Sequence, residues 1–448
     1  MRTIHLCFAS IMIFGTAAIA CSSSSSGGGG TANPDTSDSG AGPQMGATDS
    51  GAADAGPVSL DFEKRVNGAP LHALATDDKG NMFVAGELLG ATDFGGGKVT
   101  PSATQTAFLA EYDKTGKLAW VKLFTGTADM QQDWALAPDG VGGVYLAGVV
   151  SAKVNLGGSD IDLGFPDMGA TTALLAHFDG TGKHLSSGAV LDCKSPCGKP
   201  LLTGSTRGVA FDVAATGISQ TPFVMGGTQD YYQGAATFRY LLSGSATNLD
   251  RLTGNDIFGV YQDTVNQFVY DAVNEDNGVT IDEVDWTGAQ SDMWSYPNAK
   301  MAGFAMDGQK RAFMSGYMDN TVAANQFFQT YGPTIEWTKN LTLTGDAEVR
   351  MMPDTVIYDP KTKTSIFAVE FEGKVAVDTA TFQTKSPAGK DDWDIFLVRF
   401  DHKGKLVAQK QLGSSDHETV RALSLLPDGR VVVAGDSNGA AYLAAVTL

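Results

Sequence analysis

The sequence predicts an all-β protein built from one four-stranded antiparallel unit used many times, and three observations lead there. Glycine takes 54 of the 448 positions and Lys plus Arg only 31, while apolar residues at helical spacing over helix-length stretches are hard to find. A phrase also returns across the chain: LAEYDKTGKLAWVKLFTG at 109–126 comes back as LVRFDHKGKLVAQKQLG at 397–413. Finally, each copy flanks an Asp-x-x-Gly or Asp-Gly turn, where Asp can bond its own backbone two residues on and Gly accepts positive φ at little cost.

The first two strands of the unit read ALATDDKGNMFVAG (73–86), ALAPDGVGGVYLAG (135–148), GFAMDGQKRAFMSG (303–316) and ALSLLPDGRVVVAG (422–435). After a variable connection come the third and fourth, as FLAEYDKTGKLAWVK (108–122), LLAHFDGTGKHLSSG (174–188) and FLVRFDHKGKLVAQK (396–410). Two hairpins joined by a longer loop make a four-stranded meander of roughly 45 to 70 residues, and radial repetition of such sheets is a β-propeller. Weaker second strands occur at FVMGG (223–227), FVYDA (268–272) and within YDPKTKTSIFAVEF (358–371), which brings their number to seven. The fourth strands, among them HLSSGAVL, NLDRLTG, DMWSYPN and IEWTKNLTLTG, reach seven only if LDFEKRVNG (60–68) is counted. The last unit stops at AAYLAAVTL, a third strand. A single β-propeller of seven four-stranded blades is therefore expected over residues 57–448, its last blade completed by the N-terminal strand, which hides an open sheet edge.

The phrases GNMFVAG, TDFGGGKVTPSATQTAFLAEYDKTGKLAWVK and DDWDIFLVRFDHKGKL resemble the SBBP-type β-propeller repeat of bacterial surface and secreted proteins. The resemblance covers about two thirds of residues 57–448 and is weakest over 207–300. It implies a fold and a setting outside the cytoplasm but no fixed activity, since propellers host many functions.

Residues 1–20 carry Arg2, a short apolar run from Leu6 to Phe14 and then small residues, too short to span a membrane and suited to a secretory signal. Ala18-Ile19-Ala20-Cys21 resembles the lipobox of bacterial lipoproteins, which implies cleavage before Cys21 and a diacylglyceryl anchor on its thiol. An ordinary cleaved signal is the alternative. Ser22 is what outer-membrane lipoproteins of Gram-negative bacteria commonly show after the cysteine. Residues 21–56, opening SSSSSGGGG after the cysteine, cannot bury enough apolar surface to fold and form a tether with a reach on the order of 30 Å. The expected location is the cell envelope, lipid-anchored at the outer membrane, with the lipid as the only membrane contact and the propeller monomeric. Cys193 and Cys197, in DCKSPCG, read as a local disulfide in an oxidising compartment; a metal site would need further Cys or His nearby.

A formal net charge of −19, with no run of basic residues, argues against a nucleic-acid partner. His72, His177, His184, His402 and His417 occupy unlike places in the repeat and never fall at zinc-binding spacing. The recurrent Asp77, Asp78, Asp113, Asp139, Asp179, Asp307, Asp401 and Asp428 lie at or next to turns and read as turn residues; calcium, the alternative, wants several convergent oxygens. No cofactor and no catalytic residue is expected. Recognition is expected instead on the face that carries the second-to-third and blade-to-blade connections, such as 87–106, 149–171, 190–206, 227–235 and 372–392. There Asp230, Tyr231, Tyr232, Asp391, Asp392 and Trp393 combine aromatic surface with acceptors, suited to a glycan or a protein partner. The reading is a non-enzymatic binding or scaffold module. A glycan-active hydrolase or lyase using loop carboxylates, or a purely structural envelope protein, are the alternatives.

Overall fold

The computed structural model describes residues 61–448 except 103–104, 126–133, 152, 157–159, 163–170, 190, 193–198, 201–204, 212–221, 231–233, 242–248, 253–255, 264–267, 276–277, 286–289, 298, 319–325, 332–334, 353, 386–391 and 415. Among the described residues there is no helix, and seven sheets hold four or more strands each. In chain order the innermost strands are Leu71–Thr76, Ala135–Pro138, Ser205–Phe211, Asp256–Asp263, Ala299–Met306, Val356–Asp359 and Glu418–Leu425. Each touches the next, and the last touches the first. The sheets therefore stand radially around a central channel. The chain is a β-propeller.

The hairpins form for the reason the sequence suggests. Asp77 Oδ1 accepts the backbone N–H of Lys79 and Asn81 at 2.9 and 2.8 Å, and Asp113, Asp139, Asp179, Asp307 and Asp401 each accept the N–H groups two and four residues on. A single carboxylate oxygen thus satisfies two donors that the tight turn leaves unpaired.

Packing between sheets also repeats. Phe62, Trp120 and Trp337 occupy the same place in the fourth strands of the seventh, first and fifth sheets, and each lies on the turn glycine of the next sheet. A Cβ on Gly116 would come within 2.9 Å of Phe62, on Gly182 within 2.6 Å of Trp120, and on Gly404 within 2.6 Å of Trp337. All three glycines have positive φ, so two independent constraints keep them side-chain-free. Behind these contacts lie apolar clusters shared by neighbouring sheets, for example Val84, Phe108 and Tyr112 with Val432, Ala434 and Leu443.

The N-terminal strand closes the ring. Phe62–Asn67 pairs antiparallel with Ala440–Val446, in register from Phe62 opposite Ala445 to Asn67 opposite Ala440. Arg65 fastens it: Nη1 donates to Asp416 at 2.9 Å and to the Ser437 hydroxyl, and Nη2 donates to the fully buried Glu418 at 3.1 Å. On its other side Phe62 covers Gly116, and Lys64 Nζ donates to the Gly116 carbonyl at 3.2 Å. One strand thus completes the last sheet and holds the first.

Two stretches differ from expectation. IEWTKNLTLTG is not one fourth strand: Ile335–Asn340 ends the fifth sheet and Thr342–Arg350 joins the sixth. The cause is the 14-residue strand Thr364–Val377, which runs beyond its sheet and offers its far half to Thr342–Arg350 and Ala380–Gln383. Phe371, Val375 and Phe382 bury Ala347 and Val349 there. Much of 372–392, expected as a loop, is therefore sheet.

Deleting residues 57–68 is expected to lower the melting temperature and cause aggregation through the exposed strand Ala440–Val446. Arg65→Ala is expected to cost about 2 kcal/mol in denaturant unfolding, less than the loss of one partner of a fully buried pair, because Arg65 is itself about a third exposed and Ser414 and Ser437 still bond Glu418. An unchanged melt and a monomeric elution profile for the deletion would contradict ring closure.

Candidate functional site

The first strand of each sheet runs from the blade-to-blade connections towards the short Asp hairpins, so the two ends of the central channel are chemically distinct. The channel has a volume of about 450 Å³. Its wall comes largely from first strands, with Leu74, Leu136, Phe304, Ile357 and Leu425 beside Asp354, Tyr358 and Ser424, and its accessible surface is more polar than apolar. Trp134 also lines it, and its indole N–H is buried without an acceptor.

At the end near the long connections, charged residues gather over sheets six, seven and one. Glu87, Glu370 and Asp436 hold one structural position, the residue at the outgoing end of the second strand. Glu370 Oε1 accepts the N–H of Val420 on the next sheet at 2.8 Å, and Asp436 Oδ1 accepts the N–H of Leu71 on the next sheet at 3.3 Å. These carboxylates meet first strands where each carries a β-bulge. The bulges fall between Val420 and Ala422 and between Leu71 and Ala73, and they set out Arg421 and His72. Arg421 Nε lies 3.9 Å from Asp436, with 39% of its side chain exposed. His72 is 3.7 Å from Glu87.

Burial dominates the electrostatics. It pushes Glu370 up to about 7 and Asp436 up to about 6, against the opposing pull of the Arg421 guanidinium on both. Burial, with Arg421 nearby, pushes His72 down to about 4, so the imidazole is neutral at pH 7. Further out, burial raises Asp394 to about 7, with Asp392 and Glu418 adding repulsion and Gln411 donating to it. Among the described residues of this cluster the Arg421 guanidinium is the most exposed charge; Glu370 and Asp436 are turned onto backbone N–H groups, and Glu87 lies beside His72.

The sequence-predicted residues fare unequally. Asp392 and Trp393 are 4% and 2% exposed, so Trp393 presents no aromatic surface, contrary to expectation. It is packed beneath Arg350, whose guanidinium carbon is 3.8 Å from the ring centroid, and beside His417 at 6.1 Å. Asp230 ends the strand Pro222–Asp230, and Tyr231 and Tyr232 lie outside the described residues. So do Cys21, Cys193, Cys197 and Asp391. Among the described residues no group of three or more His, Cys, Asp and Glu is placed to hold a metal ion. Sequence reasoning missed Arg421, His72 and the acids, although VAGE, AVEFE and VAGD carry a visible signal: an acid just beyond the small or apolar end of a second strand.

No family model and no curated protein sequence matches the chain. Solved structures do. A Dos1 propeller is similar at 11% identity and a TM-score of 0.49, over 87% of this chain and 95% of that one. The β-propeller domain of Cps50 (Swd1) from Myceliophteria thermophila has 10% identity and a TM-score of 0.48, over 87% and 100%. Virginiamycin B lyase from Staphylococcus aureus has 9% and 0.42, over 86% and 99%. The likeness reaches no further than the fold, which the sheet order establishes by itself.

Stability should depend on pH with a definite sign. Folding raises Glu370 from the ordinary carboxylate value to about 7, so the native state holds a proton that the unfolded chain releases. That stabilisation is full below the ordinary carboxylate range and is lost as pH rises through about 7; Asp394 and Asp436 act alike. His72 acts oppositely, its stabilisation being lost as pH falls from 6.5 towards about 4. The melting temperature is expected to fall between about pH 5 and pH 7, and Glu370→Gln to flatten that fall. An equal slope in the variant would count against a protonated Glu370.

Proposed function

We propose that the chain is an outer-membrane lipoprotein with an SBBP-type propeller, tethered through Cys21, that binds a glycan or protein partner without transforming it. The partner docks at the channel end bordered by Arg421 and His72. The observation that carries this reading is the channel itself, a cavity of about 450 Å³ whose wall mixes aliphatic side chains with polar groups and whose one rim carries charged groups. Concave sites that combine apolar side chains with placed polar groups are the usual form of a ligand pocket. Binding is favoured over glycan hydrolysis because Glu370 and Asp436 each accept an inter-sheet backbone N–H. A general acid or base must be free to exchange its proton with a substrate. Tyr231 and Tyr232, which fall in the sequence between Pro222–Asp230 and Gly234–Leu241, are further candidates for partner contact.

Leu74→Trp and Leu136→Trp should fill the channel. The immobilised propeller is expected to retain an envelope component that both variants lose by at least about tenfold, the loss of roughly 1.4 kcal/mol of binding, with the melting temperature unchanged. Equal retention by the filled variants would remove the channel from the proposal. Glycoside cleavage by the parent that Glu370→Gln abolishes would replace binding with catalysis.

A further inference from the structure

We infer that the opposite face, made by the short Asp hairpins, is a docking surface for a membrane rich in anionic lipid. First-to-second and third-to-fourth turns all leave on this side, and turns of neighbouring sheets abut. Lys361 donates to the Pro427 carbonyl, Arg430 donates to the Lys114 carbonyl at 3.0 Å, and a Cβ on Gly142 would meet Lys79 Nζ at 3.0 Å. Lys79, Lys114, Lys117, Lys183, Lys403 and Lys405 are exposed in these turns, and none makes an ion pair among the described residues. Most acids of the same turns are held against backbone N–H groups, while Asp78 and the Arg430-paired Asp428 are exposed. Asp77, Asp139 and Asp307 are buried, while Asp113, Asp179 and Asp401 are folded onto their own turn amides. Ammonium groups on four-carbon stems therefore reach furthest into solvent, in a chain whose net charge is −19.

A second observation selects lipid over nucleic acid. Of the five exposed large hydrophobic residues described, four lie on this side: Val141 in a hairpin, and Leu185, Ile335 and Val407 within two residues of the start of a fourth strand. Their exposures are 69%, 49%, 53% and 48%. Aliphatic side chains interspersed with lysines gain burial at a headgroup boundary and none on a phosphodiester backbone. A third observation is the entry of the chain. Phe62–Asn67 serves as a fourth strand, so it begins on the hairpin side, with Phe62 seated on Gly116. The inference rests on the proposed anchor to the extent that the tether then leaves from the face that meets the lipid. The channel rim with Arg421 would face away from the membrane.

The test uses residues 21–448 carrying Cys21→Ser, which has no thiol to acylate, sedimented with phosphatidylcholine vesicles with and without phosphatidylglycerol. Binding is expected only with phosphatidylglycerol, and to weaken as salt is raised. With roughly fivefold per lysine near the surface, Lys117, Lys183, Lys403 and Lys405 changed together to Gln should weaken binding by well over tenfold. Val141→Asp should weaken it further, and both variants should melt like the parent because their side chains are exposed. Failure to sediment with phosphatidylglycerol, undiminished binding by the lysine variant, or preferential retention on duplex DNA would overturn the inference. The anchor is judged separately, by whether salt-washed membranes from cells producing the Cys21→Ser chain have lost the protein.

Discussion

The pairing of Phe62–Asn67 with Ala440–Val446 is the constraint on which the other features depend. A ring of sheets is only as closed as its last joint, and here that joint unites residues more than 370 positions apart in a register fixed by six residue pairs. Without it the strand Ala440–Val446 would be an open edge, all of its side chains buried in the closed ring and its amides free to template association. The joint is not made by backbone alone. Arg65 gathers Glu63, Asp416, Glu418 and Ser437, and Phe62 with Lys64 reaches the first sheet at Gly116.

From that closure the rest follows sheet by sheet through two repeated contacts at opposite ends of the strands. On the hairpin side, an aromatic ring of one fourth strand lies on the turn glycine of the next sheet. On the other side, Glu370 and Asp436 accept a backbone N–H from the bulged first strand of the next sheet. The first contact fixes spacing by excluding a Cβ. The second fixes register by satisfying a donor that the bulge would otherwise strand. Because both are local and directional and lie at opposite ends of the strands, they leave the two faces free to differ in charge.

Much of this architecture was legible because the repeat is punctuated by turns whose chemistry admits few residues. Asp-x-x-Gly marks hairpins in the sequence and is a carboxylate over two amides in the fold. Counting strands exposed the missing fourth strand and hence the closure. Side-chain direction was much less legible. Asp-Asp-Trp at 391–393 looks like a polar aromatic surface, yet Trp393 is sandwiched below Arg350, because what buries it comes from residues far away in sequence. His72 and Arg421 project as they do only because a bulge shifts the pleat, which alternation alone does not reveal. The lysine face has no basic run in the sequence; the fold assembles it from turns spread over more than 300 residues.

Hydrogen exchange resolved to individual strands tests ring closure most directly. If the N-terminal strand is an integral part of the last sheet, amides of 62–67 should exchange as slowly as those of 431–437, both opening only with global unfolding. Fast exchange at 62–67, with 431–437 still protected, would show a ring that stands without its joint and would contradict the account.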